Sequence, residues 1–93
     1  MRESDITKLL KKAIEASGGL CFKLNFENMN DCPDYLILIN KMVYLVETKR
    51  PGAIPRPSQA YLFNKIEKTT GVHVHIISTP EDIHCFILGT QFV

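Results

Sequence analysis

Ninety-three residues make one domain, since chains divide into units of roughly 100–200 residues, and a chain this short buries only about 60–65 % of its unfolded surface. Hydrophobic residues are 45 % and charged residues 23 % of the total, which excludes a disordered or low-complexity chain. No apolar run approaches the ~20 residues of a membrane span, Arg2-Glu3-Ser4-Asp5 does not make a signal peptide, and eleven basic against ten acidic residues, net +1, argues at face value against a nucleic-acid binder.

In chain order, Ser4 is placed to cap a first helix, with Asp5 at the positive end of its dipole. Ile6, Leu9, Leu10, Ala13 and Ile14 recur at helical spacing, and Gly18-Gly19 stops the run. Leu20, Phe22, Leu24 and Phe26 then alternate with polar residues or Cys21, the period of a strand with one buried face. Two apolar strands follow, Tyr35–Ile39 and Val43–Thr48, joined by a tight turn at Asn40-Lys41. Consecutive apolar positions predict that both are central and covered on two sides. Arg50 to Pro57 carries three prolines and reads as a loop. Ser58 is expected to cap a second helix, with Gln59, Leu62, Phe63 and Ile66 on one face and Gly71 as its stop. Val72–Ser78 is a further strand, and Thr79-Pro80-Glu81-Asp82 starts a third helix running to Leu88 with Gly89 closing it. The order α-β-β-β-α-β-α describes a mixed sheet flanked by helices, with the last strand parallel to its neighbour.

Cys21, Cys32 and Cys85 are odd in number and scattered, so they read as free thiols of a reducing, cytoplasmic compartment rather than as disulfides or a zinc site. The stretch that carries chemistry is Cys32-Pro33-Asp34-Tyr35 with, thirteen residues after Asp34, Glu47-Thr48-Lys49. A hairpin turning at Asn40-Lys41 brings Asp34, Glu47 and Lys49 to the same end of the sheet. Glu47 and Lys49, two apart on one strand, share a face. Two carboxylates beside an ammonium suit a hard divalent cation and a phosphate. The bland alternative is a solvated ion pair at a strand end, and ExK by itself is common.

Pro33-Asp34 with Glu47-Thr48-Lys49 resembles the PD-(D/E)xK nuclease pattern. The continuation Lys49-Arg50-Pro51-Gly52, then Ser58-Gln59 opening a helix, then Gly71 and an apolar strand, is similar to the VRR-NUC (virus-type replication–repair nuclease) family, over residues 3 to about 82. The resemblance implies a restriction-endonuclease-like core, Mg²⁺ or Mn²⁺, and hydrolysis of DNA phosphodiesters. Small stand-alone members are viral, dimeric and similar to Holliday-junction resolvases, so it also implies a homodimer acting on branched or four-way DNA in the host cytoplasm. It assigns metal binding to Asp34 and Glu47, water or phosphate handling to Lys49, and a supporting place to Gln59. The family also has a glutamate in the first helix, for which Glu3 and Glu15 compete. Glu3 falls on the inward face with Ile6 and Leu10, whereas Glu15 projects about 180° from Ile6, so Glu3 is expected as the further ligand. Where the family has a glycine before Pro-Asp, this chain has Asn30-Asp31-Cys32. Asparagine tolerates left-handed backbone, and Asp31 is an additional carboxylate near the ligands.

Lys49, Arg50 and Arg56, beside the proline-rich loop, are the expected phosphate contacts. Arg2, Lys8, Lys11 and Lys12 form a basic helix face serving either solubility or DNA contact. His73 and His75 share a face of an edge strand without a recognisable third ligand. Ile83, Phe86 and Ile87, with Phe92 and Val93, are expected in a homodimer interface. Two other functions fit the same residues: a less selective nickase or flap nuclease, and a non-catalytic α/β binding module. Once three acids are assigned to metal, eleven basic residues face seven acids, so a total near zero no longer argues against DNA.

Overall fold

A computed structural model describes residues 1–91; Phe92 and Val93, part of the expected interface, lie outside the described residues. The elements run α1 (Glu3–Ala16), β1 (Leu20–Lys23), β2 (Tyr35–Ile39), β3 (Met42–Thr48), α2 (Pro57–Thr70), β4 (Val74–Ile77) and α3 (Pro80–Thr90). The sheet order is β1-β2-β3-β4, antiparallel except for the parallel pair β3–β4. The expected order and strand directions are both present.

Local chemistry explains the boundaries, including those that differ from expectation. The helix α1 is entered at Arg2 rather than capped by Ser4: the Arg2 N–H donates to Asp5 Oδ2 at 2.8 Å. Gly18, at φ +81°, turns the chain out of the helix, and Gly19 sits where an added Cβ would lie 2.9 Å from Ile14 and 3.0 Å from the Leu38 carbonyl oxygen. The β2–β3 turn places Asn40 and Lys41 at φ 50° and 64°, the left-handed pair of a type I′ hairpin. Arg56, not Ser58, precedes the first helical residue of α2, because Pro57 already has the fixed φ of a helix start. Thr79 caps α3 by accepting from the Asp82 N–H at 3.0 Å. Gly89 lies inside α3, which continues to Thr90 because the Thr90 hydroxyl donates to the Ile87 carbonyl at 2.7 Å.

The main core lies on one side of the sheet. Ile6, Leu10 and Ile14 of α1 and Ile83 and Phe86 of α3 pack on Tyr35, Ile37, Ile39, Val46 and Ile77. Ile83 and Phe86 are therefore core residues of a single chain, with Ile87 packed against them. The expectation that Ile83 and Phe86 form a subunit interface fails, because the helix carrying them turns that stripe inward; Ile87 is half-buried.

The other side is covered only in part. There α2 packs over β3 and β4, burying Gln59 and Phe63, with Val74 and Glu47 buried on the same side. Among the described residues nothing covers the β1 end: Leu20, Phe22 and Val43 are 55, 49 and 56 % exposed. The alternation read in residues 20 to 26 is real, but the apolar set faces the uncovered side, while Cys21 packs against the core. The strand also ends at Lys23, and Phe26 is exposed. Likewise Leu36 and Leu38 are only half-buried, so β2 is not covered on both sides as its composition predicts.

Candidate active site

The site forms where the ends of β2 and β3 meet the start of α2. Register places Tyr35 opposite Val46, so Asp34, one residue before β2, arrives beside the end of β3. Its Oδ2 accepts from the backbone N–H and from the hydroxyl of Thr48, both at 3.0 Å. A second hydroxyl extends this chain onto α1, since Thr7 Oγ1 lies 3.3 Å from Thr48 Oγ1. With the Thr48 proton committed to Asp34, Thr7 is the donor of that contact.

On the α2 side, Glu47 is 2 % exposed. Its Oε2 accepts from Lys49 Nζ at 3.1 Å and from Gln59 Nε2 at 3.0 Å. Gln59, itself 4 % exposed, accepts at Oε1 from Lys49 Nζ at 3.0 Å and from the Arg56 N–H at 3.2 Å. One amide thus orients both the carboxylate and the ammonium, and only this orientation of the amide satisfies all three partners. Among the described residues Glu47 Oε1 is buried without a hydrogen-bond partner. Burial, then the charge of Asp34, pushes the Glu47 carboxyl above its usual range, opposed by Lys49 and Gln59. Both carboxylates therefore spend one oxygen on the protein. Asp34 Oδ1 and Glu47 Oε1 accept no bond from the described residues.

This donor set fits a hard divalent cation. A buried carboxylate oxygen without a donor is costly by about 1–3 kcal/mol or more, and a cation shared with Asp34 would offset that cost. Among the described residues no three His, Cys, Asp or Glu side chains come together as a metal site, so the structure does not gather Glu3 with Asp34 and Glu47 in one cluster.

The other expected residues are distributed as follows. Glu3 lines a cleft of about 370 Å³ together with Asp34, Thr7, Tyr35 and Thr48, whereas Glu15 lies toward Cys21 at the far end of α1. Arg56 is engaged: its guanidinium binds Asp31 Oδ1 at 3.1 Å and the Asn30 carbonyl at 3.3 Å. Ser58 donates to the same Asp31 oxygen at 3.0 Å, so Asp31 ties the preceding loop to α2. The left-handed residue of that loop is Asn28, at φ 62°, rather than Asn30. Arg50 is exposed. His73 and His75 pack edge to face at 5.0 Å, with His75 in similar contact with Phe86 at 5.1 Å and Tyr44 at 5.9 Å. His75 is thus an aromatic packing residue.

Sequence reasoning missed Thr48 and Thr7. Thr48 is the x of ExK and points away from Glu47, so its contact with Asp34 depends on how the strand end twists. Thr7 is a polar residue next to an apolar helical stripe, which is a weak signal.

A solved structure described as a VRR_NUC domain superposes on this chain with a TM-score of 0.82 and 28 % sequence identity, over 92 % of this chain and 94 % of that one. No family model matches the chain, and no curated protein does.

Proposed function

We propose, on the premise that this chain has the VRR-NUC domain fold, that it is a divalent-metal-dependent endodeoxyribonuclease of the PD-(D/E)xK type. The observation that carries this is Glu47 Oε1, a buried carboxylate oxygen without a donor, next to a second carboxylate and 3.1 Å (through Oε2) from an ammonium. A glutamate in a solvated surface ion pair would be exposed, whereas Glu47 is only 2 % exposed.

Asp34 and Glu47 would hold Mg²⁺ or Mn²⁺, with Glu3 reaching the ion or its waters from the cleft side. The ion would polarise the phosphate and lower the pKa of a bound water. Lys49, held by Gln59 and Glu47, presents its charge at Nζ to the attacking water or to the oxygens of the phosphate in flight. Thr48 holds Asp34 by one oxygen so that the other keeps its direction. Arg50, exposed in the following loop, contacts the phosphate backbone. Arg56 shares its guanidinium with Asp31 and shapes the loop as well.

The substrate reading is branched DNA cut by a homodimer. Its support is the two-fold pairing that two sites on one junction require and the uncovered apolar side of the sheet. Incubating the protein with four-way, flap and linear duplex DNA in Mg²⁺ or EDTA is the test. Cleavage in Mg²⁺ should be lost by at least about 100-fold in Glu47→Gln and Asp34→Asn, with circular dichroism unchanged. Wild-type rates in either variant would overturn the site, and equal cutting of all three DNAs would favour the less selective nickase.

A further inference from the structure

The cleft on the α1 side of Asp34 has a feature that the metal site does not use. Lys8 and Lys11, one turn apart on α1, and Lys23, the last residue of β1, line it together with Asp34, Thr48 and Glu3. All three lysines are exposed. Among the described residues none has a carboxylate within 4.0 Å, since the ion pairs are Lys49–Glu47, Arg56–Asp31 and His73–Glu67. Lys11 is held over the Tyr35 ring, its Nζ 5.5 Å from the centroid, so the ammonium has a position without being neutralised. Lys23 lies across from Tyr35 in the β1–β2 register, and therefore on the same side of the sheet as Lys11.

Three unpaired ammoniums lining one cleft repel one another, and an anion in the cleft relieves that repulsion. Glu3 and Asp34 reduce the charge, but a divalent ion on Asp34 would reverse the contribution of that carboxylate. The cleft opens next to Asp34, on the side of it away from Lys49 and Gln59. The cleft therefore adjoins the place where a reacting phosphate held at Asp34 and Glu47 would lie.

We propose that Lys8, Lys11 and Lys23 form a backbone-phosphate subsite that holds the strand on the α1 side of the scissile phosphodiester. It rests on the nuclease reading for the word scissile, but the binding itself does not. The subsite places strand contact on α1 and β1 in addition to the proline-rich loop, and draws Lys8 and Lys11 from the basic helix face. It excludes Lys12, which does not line the cleft.

The test compares the full chain with Lys8→Gln/Lys11→Gln/Lys23→Gln and with a charge-matched control, Lys41→Gln/Lys65→Gln/Lys68→Gln, using a fluorescent duplex oligonucleotide. Binding is titrated in EDTA across a salt series, and cleavage is followed in Mg²⁺. The cleft variant should bind at least about ten-fold more weakly at low salt, with the slope of log K against log salt smaller by about 2. Its KM should rise while the rate at saturating DNA stays within about two-fold, since the metal site is intact. The control should keep the wild-type slope. Equal losses in both variants would mean a bulk-charge effect and overturn the subsite, as would an unchanged slope in the cleft variant. Inorganic phosphate binding at these lysines as tightly as the oligonucleotide would mark a small-anion site and overturn the strand assignment. A lysine-dependent slope in a wild-type protein that does not cleave would support the subsite and count against hydrolysis alone.

Discussion

Asp34 and Glu47 are treated differently by their surroundings, and the difference bears on how the site is tuned. Asp34 is half-buried and receives two hydrogen bonds from one residue, Thr48. Glu47 is buried, with a lysine and a glutamine on one oxygen and nothing on the other. Ionised Glu47 is thus under-compensated in the protein alone, which is the direction its raised pKa also takes. Thr48 supplies both a backbone N–H and a hydroxyl, so it can be tested without touching a ligand. Thr48→Val keeps the N–H bond and the shape but removes the hydroxyl that links Asp34 to Thr7. Loss of such a supporting bond costs about 10–100-fold in metal affinity. Titrating Mg²⁺ in the cleavage assay should show the activation midpoint shifted upward by that factor, with activity recovered at high Mg²⁺. An unchanged midpoint would mean that Asp34 is held by other contacts.

At the scale of elements, each secondary structure brings one component to the site because of where its ends fall. The antiparallel β2–β3 hairpin joins Asp34 to Thr48, α2 begins close enough to insert Gln59, and α1 starts beside the cleft with Glu3 and Thr7. The parallel strand β4 locks the end of β3, since the Lys49 N–H donates to the Ile77 carbonyl at 2.9 Å. Packing of β4 on α3 carries its own pH dependence. Burial, then the neighbouring His73, lowers the pKa of His75 below 6.5. A histidine with a lowered folded pKa contributes stability that is full above 6.5 and is lost as pH falls toward the folded value. The groups facing it are Tyr44, Phe86 and His73, with Asp82 and Cys85 lining the same cavity. Urea unfolding between about pH 5 and pH 7.5 should show the wild type weakening with acid and His75→Phe weakening less. Parallel curves would place the acid sensitivity elsewhere.

For the whole molecule, the decisive feature is a sheet with its core on one side and, among the described residues, only α2 on the other. Leu20, Phe22 and Val43, each about half exposed, adjoin Leu36, Leu38 and Leu45 through the strand register. Together they make a contiguous exposed apolar patch, a feature that marks interaction sites when it reaches a few hundred Å². A standard interface needs roughly 800 Å² per partner, so the patch can serve as the apolar centre of a dimer with a polar rim around it. This replaces α3 as the proposed pairing surface. Sedimentation at micromolar concentration should give a dimer for the wild type and a monomer for Phe22→Glu/Val43→Glu. The variant should still nick DNA while losing paired cuts on a four-way junction. A wild-type monomer would remove the pairing from the proposed function.

Much of the fold was legible because period and punctuation are local properties. Helical spacing in residues 6 to 14, the Asn40-Lys41 turn and the Thr79-Pro80 start each involve neighbours within a few residues. Asp34, Glu47 and Lys49 could be brought together because one hairpin with a two-residue turn sets their register, and Gln59 came from family resemblance. What only the tertiary structure decided is which apolar face meets a partner. Alternation in β1 reveals that two faces differ but not which is covered, and an apolar stripe on α3 looks the same whether it meets its own sheet or a second chain. The lysine cleft has the same origin. Lys8 and Lys11 are separated from Lys23 by a helix end and a turn, and only packing of α1 across the ends of β1 and β2 gathers their charges beside Asp34.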